Sequence, residues 1–150
     1  MANHIFEVNE TAGKLSKRDT QAFHMIVAKL IFLCKRARPD ILTGVTFLTE
    51  RVREPSGYDD KKLGRIPKYI IGTRDLVLTL ESDDTRMVKW WVDVEFAVNQ
   101  DMKSHTGGMR SMERGSLYSA SNKQKLNTKI LTKAELVGVD DLMPQISWMQ

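Results

Sequence analysis

The chain has 150 residues, 41% of them hydrophobic and 28% charged, with 23 Lys+Arg against 19 Asp+Glu for a formal net charge of +4. That length allows one ordinary domain or two small ones, and the composition excludes wholesale disorder, a collagen-like repeat and a disulfide-stapled scaffold. One cysteine, Cys34, rules out an internal disulfide and a cysteine-built zinc site, and fits a reducing compartment.

The charge is uneven. Residues 1–75 carry 14 basic and 9 acidic side chains (net +5), and residues 76–150 carry 9 and 10 (net −1). A basic first half is compatible with a phosphate backbone as partner, and also with a solvated basic surface. Met1 to Thr20 lacks the apolar core of a secretory signal, and the most apolar stretch, Ile26 to Cys34, is broken by Lys29 and too short to span a bilayer. The expectation is an intracellular chain, cytoplasmic or nuclear, with no membrane partner.

In chain order, Met1 to Arg18 reads as an extended lead-in. Asp19 or Thr20 can cap a helix running to about Arg36, with Phe23, Ile26, Val27, Leu30, Ile31, Leu33 and Cys34 on one broad face. Lys35, Arg36 and Arg38 gather at its C-terminal end, where the helix dipole favours cations. Pro39 starts a second helix whose buried stripe is Ile41, Leu42, Val45, Leu48 and Val52. Glu54 to Gly57 is a turn. A third helix is predicted from Asp59 to Ile71, kinked or split near Pro67 because Gly64 and Pro67 both interrupt it.

The periodicity changes after Gly72 to Asp75. Leu76, Leu78 and Leu80 alternate, as do Val88, Trp90 and Val92, so two strands are predicted with 81–86 as their turn. Gly107-Gly108 and Arg114-Gly115 bracket a short strand from Met109 to Glu113, and Leu117 to Ser121 gives another. Lys123 to Lys129 is a basic loop. A last helix is predicted from near Thr132, carrying Leu136, Val137 and Leu142.

No phosphate-loop, dinucleotide-binding, zinc-protease or serine-hydrolase motif occurs, and His4, His24 and His105 have no ligand-like spacing. What remains is a set of carboxylates. Asp93 and Glu95 are two apart, so a regular strand projects both from one face. Glu135 sits in the first turn of the last helix, with Asp140 and Asp141 beyond it. Hard cations such as Mg²⁺ take oxygen ligands, and two-metal nucleases gather carboxylates from a strand and a neighbouring helix. Thr132-Lys133-Ala134-Glu135 also fits a capping box, which would occupy Glu135 structurally.

Six segments carry a resemblance. Lys35-Arg36-Ala37-Arg38-Pro39-Asp40-Ile41 resembles the [TA]-R-P-D-I segment of copia-type retrotransposon Pol polyproteins, between the reverse transcriptase palm and RNase H. Lys68 to Thr73 resembles their R-Y-L-x-G-T helix end, and Trp91-Val92-Asp93 their opening RNase H strand. Ser104-His105-Thr106-Gly107-Gly108 is similar to S-x-S/T-G-[GY], Tyr118 to Gln124 to W-S-S-x-K-Q, and Thr132 to Leu136 to T-E-A-E-[YL]. The order and spacing hold from about Phe6 to Trp148.

The resemblance implies an α+β chain, with a helical thumb or connection-like segment over 1–75 and a partial RNase H-like fold over 76–150. That second part is expected to be three antiparallel strands followed by the family's helix A. It implies Asp93 and Glu135 as catalytic residues and Mg²⁺ ligands, and an RNA–DNA hybrid lying across the sheet. Lys35, Arg36, Arg38, Ser104, Lys123 and Lys125 are the candidate nucleic-acid-binding residues, and the remaining Pol chain is a further candidate partner. Two other family carboxylates would fall beyond Gln150, so the expectation is a truncated, catalytically inactive piece with weak or absent Mg²⁺ binding. Lys133, Glu95, Gly64, Pro67, Ile130 and Leu131 depart from the family pattern. The alternatives are a non-catalytic module that binds nucleic acid or a polymerase, and a degenerate reading frame without a function of its own.

Overall fold

A computed structural model describes residues 5–82 and 87–148. The chain divides into two compact units, Met1–Leu78 and Thr79–Gln150. The first is helical and the second a sheet with one helix, so the protein is α+β.

In the first unit α1 spans Lys17–Arg36. Its cap is Ser16, whose hydroxyl accepts from the Asp19 amide at 3.2 Å, three residues before the predicted start. Asp19 then lies in the first turn, where an anion meets the positive end of the helix dipole. Phe23, Val27, Leu30 and Cys34 are buried at 3–4 spacing. Ile26, predicted on the same face, is 42% exposed. Pro39–Ile41 forms a 3₁₀ turn that leads into α2, Leu42–Glu50, which buries Leu42, Val45, Phe47 and Leu48.

Helix α3 runs Gly57–Gly72. It begins two residues early because Ser56 and Asp59 form a capping box: the Ser56 hydroxyl accepts from the Asp59 amide, and the Asp59 carboxylate accepts from the Ser56 amide at 2.8 Å. Gly64 and Pro67 lie inside α3, which continues past both to Gly72 and is not split. Proline removes one donor and leaves the rest of the ladder available, and Leu63 stays buried one turn earlier. The lead-in is tied down. Leu15 donates to the Pro55 carbonyl at 3.0 Å and Gly57 to the Gly13 carbonyl at 2.9 Å, while the Phe6 and Phe47 rings meet edge-on at 5.8 Å.

The second unit contains β1 (Lys89–Glu95), β2 (His105–Ser111), β3 (Tyr118–Lys123) and α4 (Leu131–Ser147). The three strands form one antiparallel sheet in sequence order. This strand–strand–strand–helix order is consistent with a partial RNase H-like fold. The expected strand over Leu76 to Leu80 is absent: alternation alone does not make a strand without a partner, and Leu76, Val77 and Leu80 are 53%, 76% and 52% exposed. A single bridge, Glu81 to Arg114, is all that forms there. Most of the expected turn after it, 83–86, lies outside the described residues.

Gly107 and Gly108 lie inside β2 rather than before it, because the helix comes close to the sheet at that point. A Cβ on Gly108 would stand 2.5 Å from Leu142 Cδ1, and one on Gly138 would stand 2.5 Å from Val94 Cγ2. Alternation then fixes the two faces of the sheet. Val92, Val94, Thr106 and Gly108 turn toward α4, which buries Ala134, Gly138 and Leu142. Lys89, Trp91, Asp93 and Glu95 turn the other way and are exposed. The N-cap of α4 is Ile130, with no side-chain hydrogen bond, so the capping box predicted at Thr132 and Glu135 does not form.

Candidate functional site

Three of the motif segments of the second unit, those in β2, in β3 and its end, and in α4, meet in one buried polar cluster. Antiparallel pairing sets Thr106 opposite Asn122 and Gly107 opposite Ser121, which brings the start of β2 beside the end of β3. There His105 Nε2 lies 2.7 Å from Ser121 Oγ, and the Gln124 amide donates to Thr106 Oγ1 at 3.0 Å and to the Ala134 carbonyl at 2.8 Å. The Gln124 backbone amide donates to the Ser104 carbonyl at 2.9 Å, and Ser104 Oγ accepts from the Ala97 amide at 3.2 Å. Gln124 and Ser104 are each 1% exposed. Burial, aided by the positive charge of Lys123, pushes the His105 imidazole down to about 4, so it is neutral at pH 7. This cluster joins β2, β3 and α4.

Asp93 is exposed on β1, on the sheet face that α4 leaves uncovered, with Glu95 beside it. Glu135 is exposed on α4 one turn before buried Gly138. Among the described residues no group of three or more His, Cys, Asp or Glu could hold a metal ion. Asp93 and Glu135 are not brought together: one carboxylate stands on the open face and the other on the helix that packs against the opposite face. Asp140 and Asp141 are exposed on α4.

Of the cations expected to bind nucleic acid, Lys35, Arg36 and Lys125 are exposed. Arg36 stacks its guanidinium over the Phe32 ring at 5.5 Å. Lys123 is 3.0 Å from the Asp101 carboxylate. Arg38 is different, being 6% exposed. It donates to both Asp40 carboxylate oxygens at 2.9 and 2.7 Å and to the Thr73 carbonyl and hydroxyl at 3.2 and 2.7 Å, with the Tyr69 ring 5.5 Å away. This guanidinium clamps the start of α2 to the end of α3, and the hydrogen bond from Arg38 holds the Asp40 carboxyl below the usual carboxylate range. Ser104 is likewise interior.

Two features were not foreseen in the sequence. The first is a cavity of about 370 Å³ within the first unit, lined by Ile41, Phe47, Leu48, Ile66 and Tyr69 with Lys62 and Arg65 as its cations. Lys62 donates to the Ile5 carbonyl at 2.7 Å and to the Glu7 carbonyl, and lies 4.4 Å from the Phe47 ring centre. Burial lowers its ammonium below the usual lysine range, against the charges of Asp59 and Glu7. The second is the His105–Ser121 pair. Its sequence signal is slight: both residues lie in strand motifs, and the register makes them diagonal neighbours, with His105 opposite Lys123 and Ser121 opposite Gly107.

No protein-family model and no solved structure matches the chain. A transposon Ty5-1 protein of Saccharomyces cerevisiae is 26% identical over 132 residues, which cover 86% of this chain and 42% of that protein. The chain is thus similar to a transposon protein over most of its length, and it spans under half the length of that curated relative. No helix among the described residues is long and apolar enough to cross a membrane.

Proposed function

We propose that the chain is a segment of a copia-type retrotransposon Pol polyprotein, a transposable-element remnant that does not cleave nucleic acid by itself. The observation that carries this reading is the similarity to the transposon Ty5-1 protein, together with the motifs that coincide with β1, β2, β3 and α4. In this reading the helical unit corresponds to the thumb or connection region, and the sheet with α4 to the opening of an RNase H domain.

Asp93 and Glu135 then stand at the positions of the strand and helix ligands of a two-metal nuclease. Their setting supports the proposed lack of catalysis. Mg²⁺ gives up its waters only to a well-formed cage, and two carboxylates on opposite sides of the sheet do not build one. Exposed Lys35, Arg36 and Lys125 are available to phosphates, so the ancestral RNA–DNA hybrid remains the preferred ligand.

The test is incubation of the purified chain with a labelled RNA–DNA hybrid and Mg²⁺ or Mn²⁺. Intact RNA strand is expected. Metal-dependent cleavage that Asp93→Asn abolishes would overturn the proposal of inactivity.

A further inference from the structure

We propose that the cavity of the helical unit binds a small carboxylate with an apolar body, its head held by Lys62 and Arg65 and its tail lying along α2 and α3. The cavity of about 370 Å³ falls within the range of about 300–1,000 Å³ of ligand pockets, which are largely apolar with a few placed polar groups. All of its lining residues belong to the first unit. This inference does not depend on the Pol reading.

The walls follow from helical spacing. Lys62, Arg65, Ile66 and Tyr69 stand at i, i+3, i+4 and i+7 of α3 and so share one face of that helix. The other wall is Ile41, Gly44, Phe47 and Leu48, from the 3₁₀ turn and α2. Ile41, Phe47 and Leu48 are buried and give the cavity its apolar lining. Gly44 leaves the room, since a Cβ there would meet no atom within 4 Å. Seven residues of helix rise about 10 Å, so Lys62 and Tyr69 stand about two turns apart, a separation that a short alkyl chain covers.

Charge selects the ligand. The Lys62 ammonium donates to the Ile5 and Glu7 carbonyls, which are neutral and leave its positive charge in place. Arg65 adds a second positive charge, near enough to disfavour the first, and burial strips water from Lys62. The nearby acids act the other way, but Asp59 is already engaged by Ser56 and lies 3.5 Å from Arg51. The other carboxylate lining the cavity, Asp40, accepts from Arg38 through both oxygens. An anionic head therefore meets two cations at the Lys62 end, where hydrogen bonds to charged groups are the strong ones. A neutral body of the same shape gains only the apolar contacts, and a cationic one is repelled.

The experiment is titration of the isotopically labelled full chain with octanoate, octanol and octylamine, read by amide NMR shifts. Octanoate should give saturable shifts at Gly44, Phe47 and Ile66 and bind about tenfold more tightly than octanol, with octylamine weaker still. Lys62→Met should weaken octanoate by about tenfold and leave octanol unchanged. Because that substitution also releases the Ile5 and Glu7 carbonyls, circular dichroism checks its folding, and Gly44→Leu supplies an independent variant. The leucine side chain occupies the cavity, so binding of octanoate and octanol should both be lost while the melting temperature holds or rises. An absence of saturable shifts, shifts that map outside the cavity, equal affinity for octanol, or undiminished binding to Gly44→Leu would overturn the proposal.

Discussion

The imidazole Nε2 of His105 and the hydroxyl of Ser121 are 2.7 Å apart across adjacent strands, and both side chains are nearly closed to solvent, at 4% and 6% exposure. The neutral ring fits this site and the imidazolium does not. The His105 value falls from 6.5 to about 4, first through burial and then through Lys123.

The sign follows directly. Between about pH 6.5 and 4 the unfolded chain takes up a proton that the folded chain refuses, so acid favours unfolding. The stability contributed by a neutral His105 is complete above the unfolded value and is lost as the pH falls through that window. The change amounts to at most about 3 kcal/mol. Denaturant titrations at pH 7.5 and pH 4.5 should show the drop, and His105→Gln should flatten it. A profile unchanged by that substitution would count against this role.

Arg38→Ala removes a guanidinium that bonds both oxygens of Asp40 and two atoms of Thr73. Leaving Asp40 and the Thr73 carbonyl without it should destabilise the first unit by about 2–3 kcal/mol. Arg38→Lys should recover only part of this, since an ammonium cannot reproduce the planar fork. Thermal unfolding followed by circular dichroism reads both variants. Equal stability of Arg38→Lys and the parent would mean that charge alone suffices.

Much of the helical unit was legible in the sequence, because 3–4 spacing reports which residues one helix buries. Phe23, Val27, Leu30 and Cys34 are the expected line. The role of Arg38 was not, since a basic run at a helix end looks the same whether its members face phosphate or, like Arg38, reach a residue 35 positions away. The strand at 88–92 was readable from alternation, and the one at 117–121 was also expected. The glycine pair was misread as a boundary, because sequence alone does not show Leu142 closing over Gly108. Asp93 was placed on the right strand, but its relation to Glu135 depends on which face α4 covers, and that is settled only by packing.

Gly138→Ala tests that packing. Alanine gains about 1 kcal/mol in helix propensity over glycine. Its methyl would meet Val94 Cγ2 and Thr106, however, and overpacking costs about 1–3 kcal/mol. A net loss of stability is expected, larger for Gly138→Val. A gain in melting temperature with Gly138→Ala would show that α4 can move off the sheet freely.

Binding to an RNA–DNA hybrid should weaken as salt rises, with each neutralised phosphate contributing about 0.7–0.9 to the logarithmic slope. Lys35→Ala with Arg36→Ala should lower that slope by about two phosphates' worth, and Lys125→Ala by about one. Fluorescence anisotropy over a salt series measures it. A slope unchanged in both variants would remove these residues from the interface.

Cys34 is 1% exposed, and burial raises its thiol to about 11, so only a minute thiolate fraction exists at pH 8. Reaction with an aromatic disulfide reagent should therefore be slow in the native chain and complete in denaturant. Prompt native labelling would show that α1 opens readily.

The sheet places every strand beside its neighbour in sequence, β1 next to β2 and β2 next to β3. Among the described residues the sheet contains no crossover, and no distant segment is threaded between its strands. Contacts of short sequence separation incur little loop-closure entropy, which favours quick formation. On a ribosome, this hairpin pair can assemble in the order in which it emerges, and α4 then closes over one face of a sheet already formed.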